Sequence, residues 1–113
     1  MALSAGSEKQ VGKLVIRNVG LMLSGKLEAP ILEADTVVAE AGRIAAIGRA
    51  GDCDTDNARV VVDAHGCALA PGLIDSHVHP VLGDWTPRQN QLGWIESCLN
   101  GGVTTMISAG EVH

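Results

Sequence analysis

The sequence predicts an α/β chain in two parts. Residues 13–70 read as a small β-sheet, antiparallel or part of a β-sandwich, and residues 71–113 as a strand, a helix and a second strand. Two observations carry this prediction. Up to residue 70, short β-branched runs recur between glycine-bearing turns, the grammar of a small all-β unit. After Pro71 the apolar spacing becomes that of one helix enclosed by two strands, which is how a crossover between parallel neighbours is written.

In chain order, residues 1–12 read as a frayed leader of small residues, and residues 13–19 as a first, β-branched strand. Residues 20–30 are punctuated like a loop or a loose hairpin. Residues 35–40 and 43–48 flank Ala41-Gly42 and predict a hairpin. A polar, turn-like stretch at 51–57 leads to another strand at 59–64, which ends at a His65-Gly66 turn. Residues 73–79 then form a strand. Beyond the loop at 81–85, Thr86 suits an N-cap, Pro87 the first helical position, and Gln89 can reach back to the cap amide. Leu92, Ile95 and Leu99 recur at helical spacing and are expected to be the core stripe, flanked by Trp94 and Cys98. Gly93 weakens this helix by roughly 1 kcal/mol relative to Ala. Gly101-Gly102 stops it, and residues 103–109 make a second buried strand. Two parallel strands cannot cover both of their faces, so the chain is expected to be cut short of a complete domain.

Composition narrows the partners. With 46% apolar and 19% charged residues the chain has the makings of a packed core. Fourteen glycines, two Trp and no Phe or Tyr mean that this core is built from Val, Ile, Leu and Ala between tight turns. A formal net charge of −5 gives no footprint for nucleic acid or an anionic membrane surface. Cys53, Cys67 and Cys98 form no Cys-x-x-Cys pair, which argues against a disulfide framework and for a reducing, cytoplasmic setting. The first ten residues lack the apolar segment of a signal peptide.

The chemistry concentrates in Ala70-Pro71-Gly72-Leu73-Ile74-Asp75-Ser76-His77-Val78-His79-Pro80. On a strand, alternation places Asp75, His77 and His79 on one face and Ile74, Ser76 and Val78 on the other. Same-face neighbours lie about 6 to 7 Å apart, so two imidazoles can reach one ion at about 2.0 to 2.1 Å. His77 and His79 are therefore predicted to be half of a metal site. Asp75 shares their face and could either orient a ligand histidine or be a buried structural hydrogen-bonder, and the structural role is expected. His65 lies in an exposed turn and is given no role.

Four segments occur in one order: Gly42-Arg43-Ile44-Ala45-Ala46-Ile47-Gly48, Val62-Asp63-Ala64-His65-Gly66, the Pro71 to His79 run, and Gly101-Gly102-Val103-Thr104-Thr105. With these spacings, the sequence from about residue 13 onward resembles the N-terminal part of the metal-dependent amidohydrolase superfamily. Asp84-Trp85-Thr86-Pro87-Arg88-Gln89, taken with residues 101–110, resembles those members that open a cyclic enamide.

The resemblance implies a (β/α)8 TIM-type barrel carrying a composite β-sandwich built from both chain ends. His77 and His79 would lie at the C-terminal end of the first barrel strand, where such barrels place their chemistry. It implies a divalent metal cofactor, zinc, as a binuclear Zn or Zn/Fe centre that brings the pKa of a bound water toward about 7. The implied reaction is hydrolysis of a non-peptide C–N bond in a small cyclic amide by a homo-oligomeric enzyme, with no nucleic-acid or membrane partner. The remaining family parts, a bridging lysine or glutamate, two further histidines and a general-base aspartate, come from later strands. No catalytic residue is therefore assigned within residues 1–113, and the chain alone is expected not to hydrolyse. Trp85, Arg88 and His113 are candidate substrate contacts. Two alternatives stand beside this reading: a non-catalytic remnant or a piece that needs a complementary chain, and, among enzymes, a hydantoinase-like or dihydroorotase-like cyclic amidohydrolase.

Overall fold

The structure, a computed structural model, describes residues 12–80 and 93–110. It divides into two compact units, Met1–Pro71 and Gly72–His113.

The first unit holds two mixed sheets. One is formed by β1 (Lys13–Arg17), β4 (Thr36–Glu40), β5 (Arg43–Gly48) and β6 (Val60–Asp63), in the order β5-β4-β1-β6. Its centre is a β-branched pair, Val15 opposite Val38, each 2% exposed. Thr36, Val37 and Val38 are buried consecutively, so both faces of β4 are covered. The β4–β5 connection is the expected hairpin, with Ala41 (φ 50°) and Gly42 (φ 74°) between paired Glu40 and Arg43. Positive φ at both loop residues is the signature of a type I′ turn, whose twist suits a two-residue hairpin. The register shifts between Val38 and Ala39, a bulge in β5.

The second sheet contains β2 (Leu21–Leu23), β3 (Ile31–Leu32) and β7 (Ala68–Leu69), in the order β3-β2-β7. β2 and β3 pair as a hairpin whose second arm lies just past residues 20–30, the stretch read as a loop or loose hairpin. Ser24 organises its loop, its hydroxyl donating to the Ala29 carbonyl at 2.6 Å and accepting the Lys26 amide at 3.0 Å.

The antiparallel expectation is corrected at two pairings. β6 runs parallel to β1, with Leu14 opposite Val60 and Arg17 opposite Asp63, and β7 runs parallel to β2, with Leu21 opposite Ala68. The cause is a doubled corner. The segment β1–β2 passes from the first sheet to the second through Asn18 (φ 56°), and β6–β7 makes the same passage beside it through His65 (φ 48°) and Gly66 (φ 80°). Backbone bonds tie the two bends: the Ala64 amide to the Arg17 carbonyl, Gly66 to Asn18, and Gly20 to Cys67, at 2.8, 2.8 and 3.0 Å. Gly20 is demanded by this approach, since a Cβ there would overlap the Gly66 carbonyl oxygen. Asp63 serves both bends, accepting the Asn18 Nδ2 amide and the His65 backbone N–H, each at 2.9 Å. The His65 amide, followed by the Asn18 side chain and the charges of His65 and Arg17, outweighs desolvation and holds the Asp63 carboxyl below its ordinary range.

Side chains from both sheets meet in one cluster of Val19, Met22, Ala34 and Val37, with Ile16, Leu32, Ala64 and Leu69 packed on it. Asp35 closes one end. Its Oδ1 accepts the Thr36 hydroxyl at 2.7 Å and the Ala50 amide at 3.0 Å, where a 3-10 turn (Ala50–Asp52) begins. The Thr36 hydrogen bond chiefly holds the Asp35 carboxyl low, helped by Ala50 and Arg49 against desolvation.

The second unit is the predicted strand, helix and strand: β8 (Leu73–Val78), α1 (Gly93–Asn100) and β9 (Val103–Ser108), with β8 and β9 parallel. The helix ends as expected, Gly102 taking φ 97° while its amide donates to the Leu99 carbonyl at 2.9 Å. The Thr86 cap, Pro87 and Gln89 lie outside the described residues, as does Leu92. The core stripe is corrected. Ile95 and Leu99 are 46% and 58% exposed, whereas Trp94 and Cys98, four residues apart, are half-buried. One eight-residue helix turns a single stripe to a two-stranded sheet, and among the described residues that stripe is Trp94 and Cys98, each one position before Ile95 and Leu99.

Candidate metal centre

The strand that carries the histidines is seated by a glycine. Gly72 precedes β8 where a Cβ would overlap the Thr104 side chain of β9, and the Leu73 amide donates to the Gly102 carbonyl at 2.8 Å. From there β8 is not regular. Asp75 pairs with Met106 but Val78 with Ser108, so three steps of β8 face two of β9. Such bulges redirect side chains and concentrate near active sites. Strict alternation, the basis for grouping Asp75 with His77 and His79, is therefore interrupted between Asp75 and the pair. Asp75 is exposed where a buried role was expected, and it turns its Oδ1 to the His77 backbone amide at 3.2 Å.

His77 and His79 converge. Their Nε2 atoms are 3.2 Å apart and their ring centroids 5.0 Å, with the planes at 76°. His79 lies one residue past the end of β8, and its Nδ1 is 2.9 Å from the Gly110 carbonyl oxygen. A carbonyl only accepts, so Nδ1 carries the proton, and in the neutral ring the His79 Nε2 presents a lone pair. Gly110 is itself held: its amide donates to the Ser108 hydroxyl at 3.1 Å, it takes φ 108°, and the adjacent Ala109 amide donates to the Val78 carbonyl at 2.7 Å.

These donors fit a divalent ion. Two imidazole nitrogens bound at about 2.0 to 2.1 Å to one tetrahedral ion stand roughly 3.3 Å apart, which is close to the separation found here. A carbonyl on the opposite ring nitrogen is the usual partner that fixes a ligand histidine. Both rings are exposed, and among the described residues no third His, Cys, Asp or Glu joins them. The pair thus offers two nitrogen donors and, among the described residues, no third group beside them.

Of the other residues singled out in the sequence, His65 is a turn residue 83% exposed at its side chain, with Nδ1 3.5 Å from Asp63. Trp85, Arg88 and His113 lie outside the described residues. The Gly110 carbonyl and the Ser108 hydroxyl are contributions that sequence reading did not supply. A backbone acceptor leaves no residue-type signal, and Ser108 reads as one more polar strand residue.

Comparison with known proteins finds this chain similar to the amidohydrolase superfamily. Enamidase of Eubacterium barkeri is 47% identical over 103 residues, which is 91% of this chain and 27% of that protein. The crystal structure of enamidase, described as a member of the amidohydrolase superfamily, superposes with a TM-score of 0.75 at 49% identity, over 88% of this chain and 26% of that one. L-hydantoinase from Arthrobacter aurescens matches at TM-score 0.67 and 30% identity, over 86% and 20% of the two chains. The N-acyl-D-glutamate deacylase of Bordetella bronchiseptica, solved with zinc and a phosphonate inhibitor, matches at 0.59 and 34%, over 84% and 18%. No family model matches the chain. The chain spans about a quarter of the length of the enamidase it matches. Among the described residues no helix is long and apolar enough to cross a membrane.

Proposed function

We propose that this chain supplies the first metal-binding strand of a divalent-metal-dependent hydrolase that opens a cyclic amide, with an enamidase-like substrate preferred. The observation that carries this reading is the convergence of the His77 and His79 Nε2 atoms at 3.2 Å, with the His79 lone pair directed there by the Gly110 carbonyl. The similarity to enamidase supports the choice of substrate class. In this reading β8 and β9 are the first two strands of a (β/α)8 barrel, and the two mixed sheets are the N-terminal share of a composite β-sandwich.

His77 and His79 would hold the ion, zinc by their donor chemistry, through neutral nitrogens. The bound metal supplies Lewis acidity to the scissile carbonyl and an acidified water. The residues of this chain do the orienting: Gly110 keeps the proton on Nδ1 of His79, and the β8 bulge brings the His77 ring to its neighbour. Two ligands hold a catalytic ion weakly and the chain offers no assigned general base, so residues 1–113 alone are proposed not to hydrolyse.

The similarity to L-hydantoinase favours a second reading, a hydantoinase-like cyclic amidohydrolase. The test loads zinc into the 113-residue chain and into the product of the gene read beyond residue 113, and offers each a six-membered cyclic enamide and a hydantoin. Enamide opening by the longer product, with none by the chain alone, is expected. Turnover of the hydantoin only would overturn the enamidase-like reading in favour of the second, and no turnover of either would favour a non-catalytic remnant.

A further inference from the structure

The bulge in β8 has a specific retainer. In a regular strand, same-face residues are separated by about 6.6 Å along the chain, so two imidazoles meet only if both rings lean toward one point. Here three steps of β8 are fitted against two of β9 between Asp75 and Val78, and the His77 ring closes to 3.2 Å from His79. A bulge takes an amide out of the ladder, and a backbone donor left without an acceptor is costly. The His77 N–H instead finds the Asp75 Oδ1 at 3.2 Å, two residues back along the chain, the local carboxylate-to-amide bond that competes with regular pairing.

We propose that Asp75 is a positioning residue for the histidine pair, acting through its hydrogen bond to the His77 amide and not as a ligand or a counter-charge. The inference rests on the metal-site reading for its purpose, but the geometry it describes belongs to the metal-free chain. Without an acceptor at position 75 the His77 amide returns to β9 or to solvent. Register then slips within the bulge, and a one-residue slip turns a strand side chain to the opposite face. His79, held separately by Gly110, stays where it is, so the two rings part. Among the described residues Asp75 belongs to no group of three possible ligands, in keeping with a carboxylate engaged by the backbone.

Two variants separate hydrogen bond from charge. Asp75→Asn keeps an oxygen in place of Oδ1 and removes the charge; Asp75→Ala removes both. In the 113-residue chain without metal, amide exchange at His77 is expected to remain slow in wild type and Asp75→Asn and to become fast in Asp75→Ala, with Val38 exchange in the first unit unchanged. Zinc titrations followed by the imidazole nitrogen resonances are expected to weaken about 10- to 100-fold in Asp75→Ala and less than about threefold in Asp75→Asn, the range for loss or retention of a partner that orients a ligand. Wild-type exchange and affinity in Asp75→Ala would overturn the proposal. If Asp75→Ala does not fold, Asp75→Asn decides: loss of zinc affinity with a protected His77 amide would show a charge role and overturn it, and retained affinity would support it. Zinc failing to bind even wild type, with His77 exchange still dependent on the acceptor, would overturn the metal reading while supporting the positioning role.

Discussion

The imidazole of His79 donates from Nδ1 to the carbonyl oxygen of Gly110 at 2.9 Å, across 31 positions of sequence. The bond joins the residue just past β8 to the second residue past β9, so the tautomer of one candidate ligand depends on the backbone at the end of the neighbouring strand. Gly110 reaches that position at φ 108°, where a side chain is strained. Gly110→Ala is therefore expected to cost about 1–2 kcal/mol locally and to swing the carbonyl away. Nitrogen NMR would then show the Nδ1–H tautomer of His79 lose its dominance and zinc affinity fall, while the first unit keeps its spectrum. An unchanged tautomer would mean that the carbonyl does not set it.

Three aspartates of the first unit, one of them at the doubled corner, predict an acid limit to stability. Asp63, Asp35 and Asp54 all have carboxyl groups held below the ordinary range, each chiefly by a hydrogen bond: from the His65 amide, the Thr36 hydroxyl and the Asp56 amide, respectively. A carboxyl whose folded pKa is depressed stabilises the fold above its unfolded value, and that contribution is lost as pH falls through the folded value. The melting temperature should hold down to about pH 5 and decline from about pH 4 downward, where unfolded aspartates take up protons. Asp63→Asn should flatten part of that decline and Asp63→Ala should lower stability at neutral pH as well, since two corner donors lose their acceptor. A melting curve with the same acid slope in wild type and Asp63→Asn would refute the assignment.

At Gly20 the expected effect is steric. An added methyl group meets the Gly66 carbonyl, which is backbone and cannot rotate aside. Gly20→Ala should destabilise the first unit by about 1–3 kcal/mol or more, the range for overpacking, in a chemical denaturation series. Gly42→Ala adds a Cβ that meets nothing within 4 Å, so its cost should come only from its φ of 74°, and comparing the two separates crowding from backbone strain.

The β4–β5 hairpin offers a gain. Ala41 sits at φ 50° in a turn whose preferred sequence is Asn-Gly. Ala41→Asn should raise stability by about 0.5–1 kcal/mol, since Asn tolerates the left-handed region better than Ala. A lower denaturation midpoint in the variant would contradict the turn assignment.

How much of this was readable beforehand follows from what local sequence encodes. The β-branched runs at 13–19, 35–40 and 59–64 announced strands because their side chains suit a pleated, half-buried surface. Ala41-Gly42 and Gly101-Gly102 announced a turn and a helix stop through their backbone freedom. Partner choice was not readable: nothing within Val60-Val61-Val62 states that it pairs parallel to β1, because that pairing is set by two corners far apart in sequence. The two-residue strands β3 and β7 were too short to show a period. In the helix, Ile95 and Leu99 were the stronger hydrophobes, yet Trp94 and Cys98 are the half-buried pair, since one sheet accepts one stripe. At the candidate site the histidine pair was legible from its two-residue spacing. The bulge within β8, and the Gly110 carbonyl beside one of the rings, were not.

The doubled corner has a bearing on how sequences of this fold can drift. Arg17 pairs with Asp63 before the bend and Leu21 with Ala68 after it, so the second strand uses one residue more to round the same turn, like the outer lane of a curved track. An insertion in either lane alone would throw the Leu21–Leu23 partners out of step with Ala68–Leu69 while β1 stayed anchored to β6. Natural variants are expected to change length in both lanes or in neither, which would make this bend a fixed landmark for aligning distant relatives whose residues have otherwise diverged.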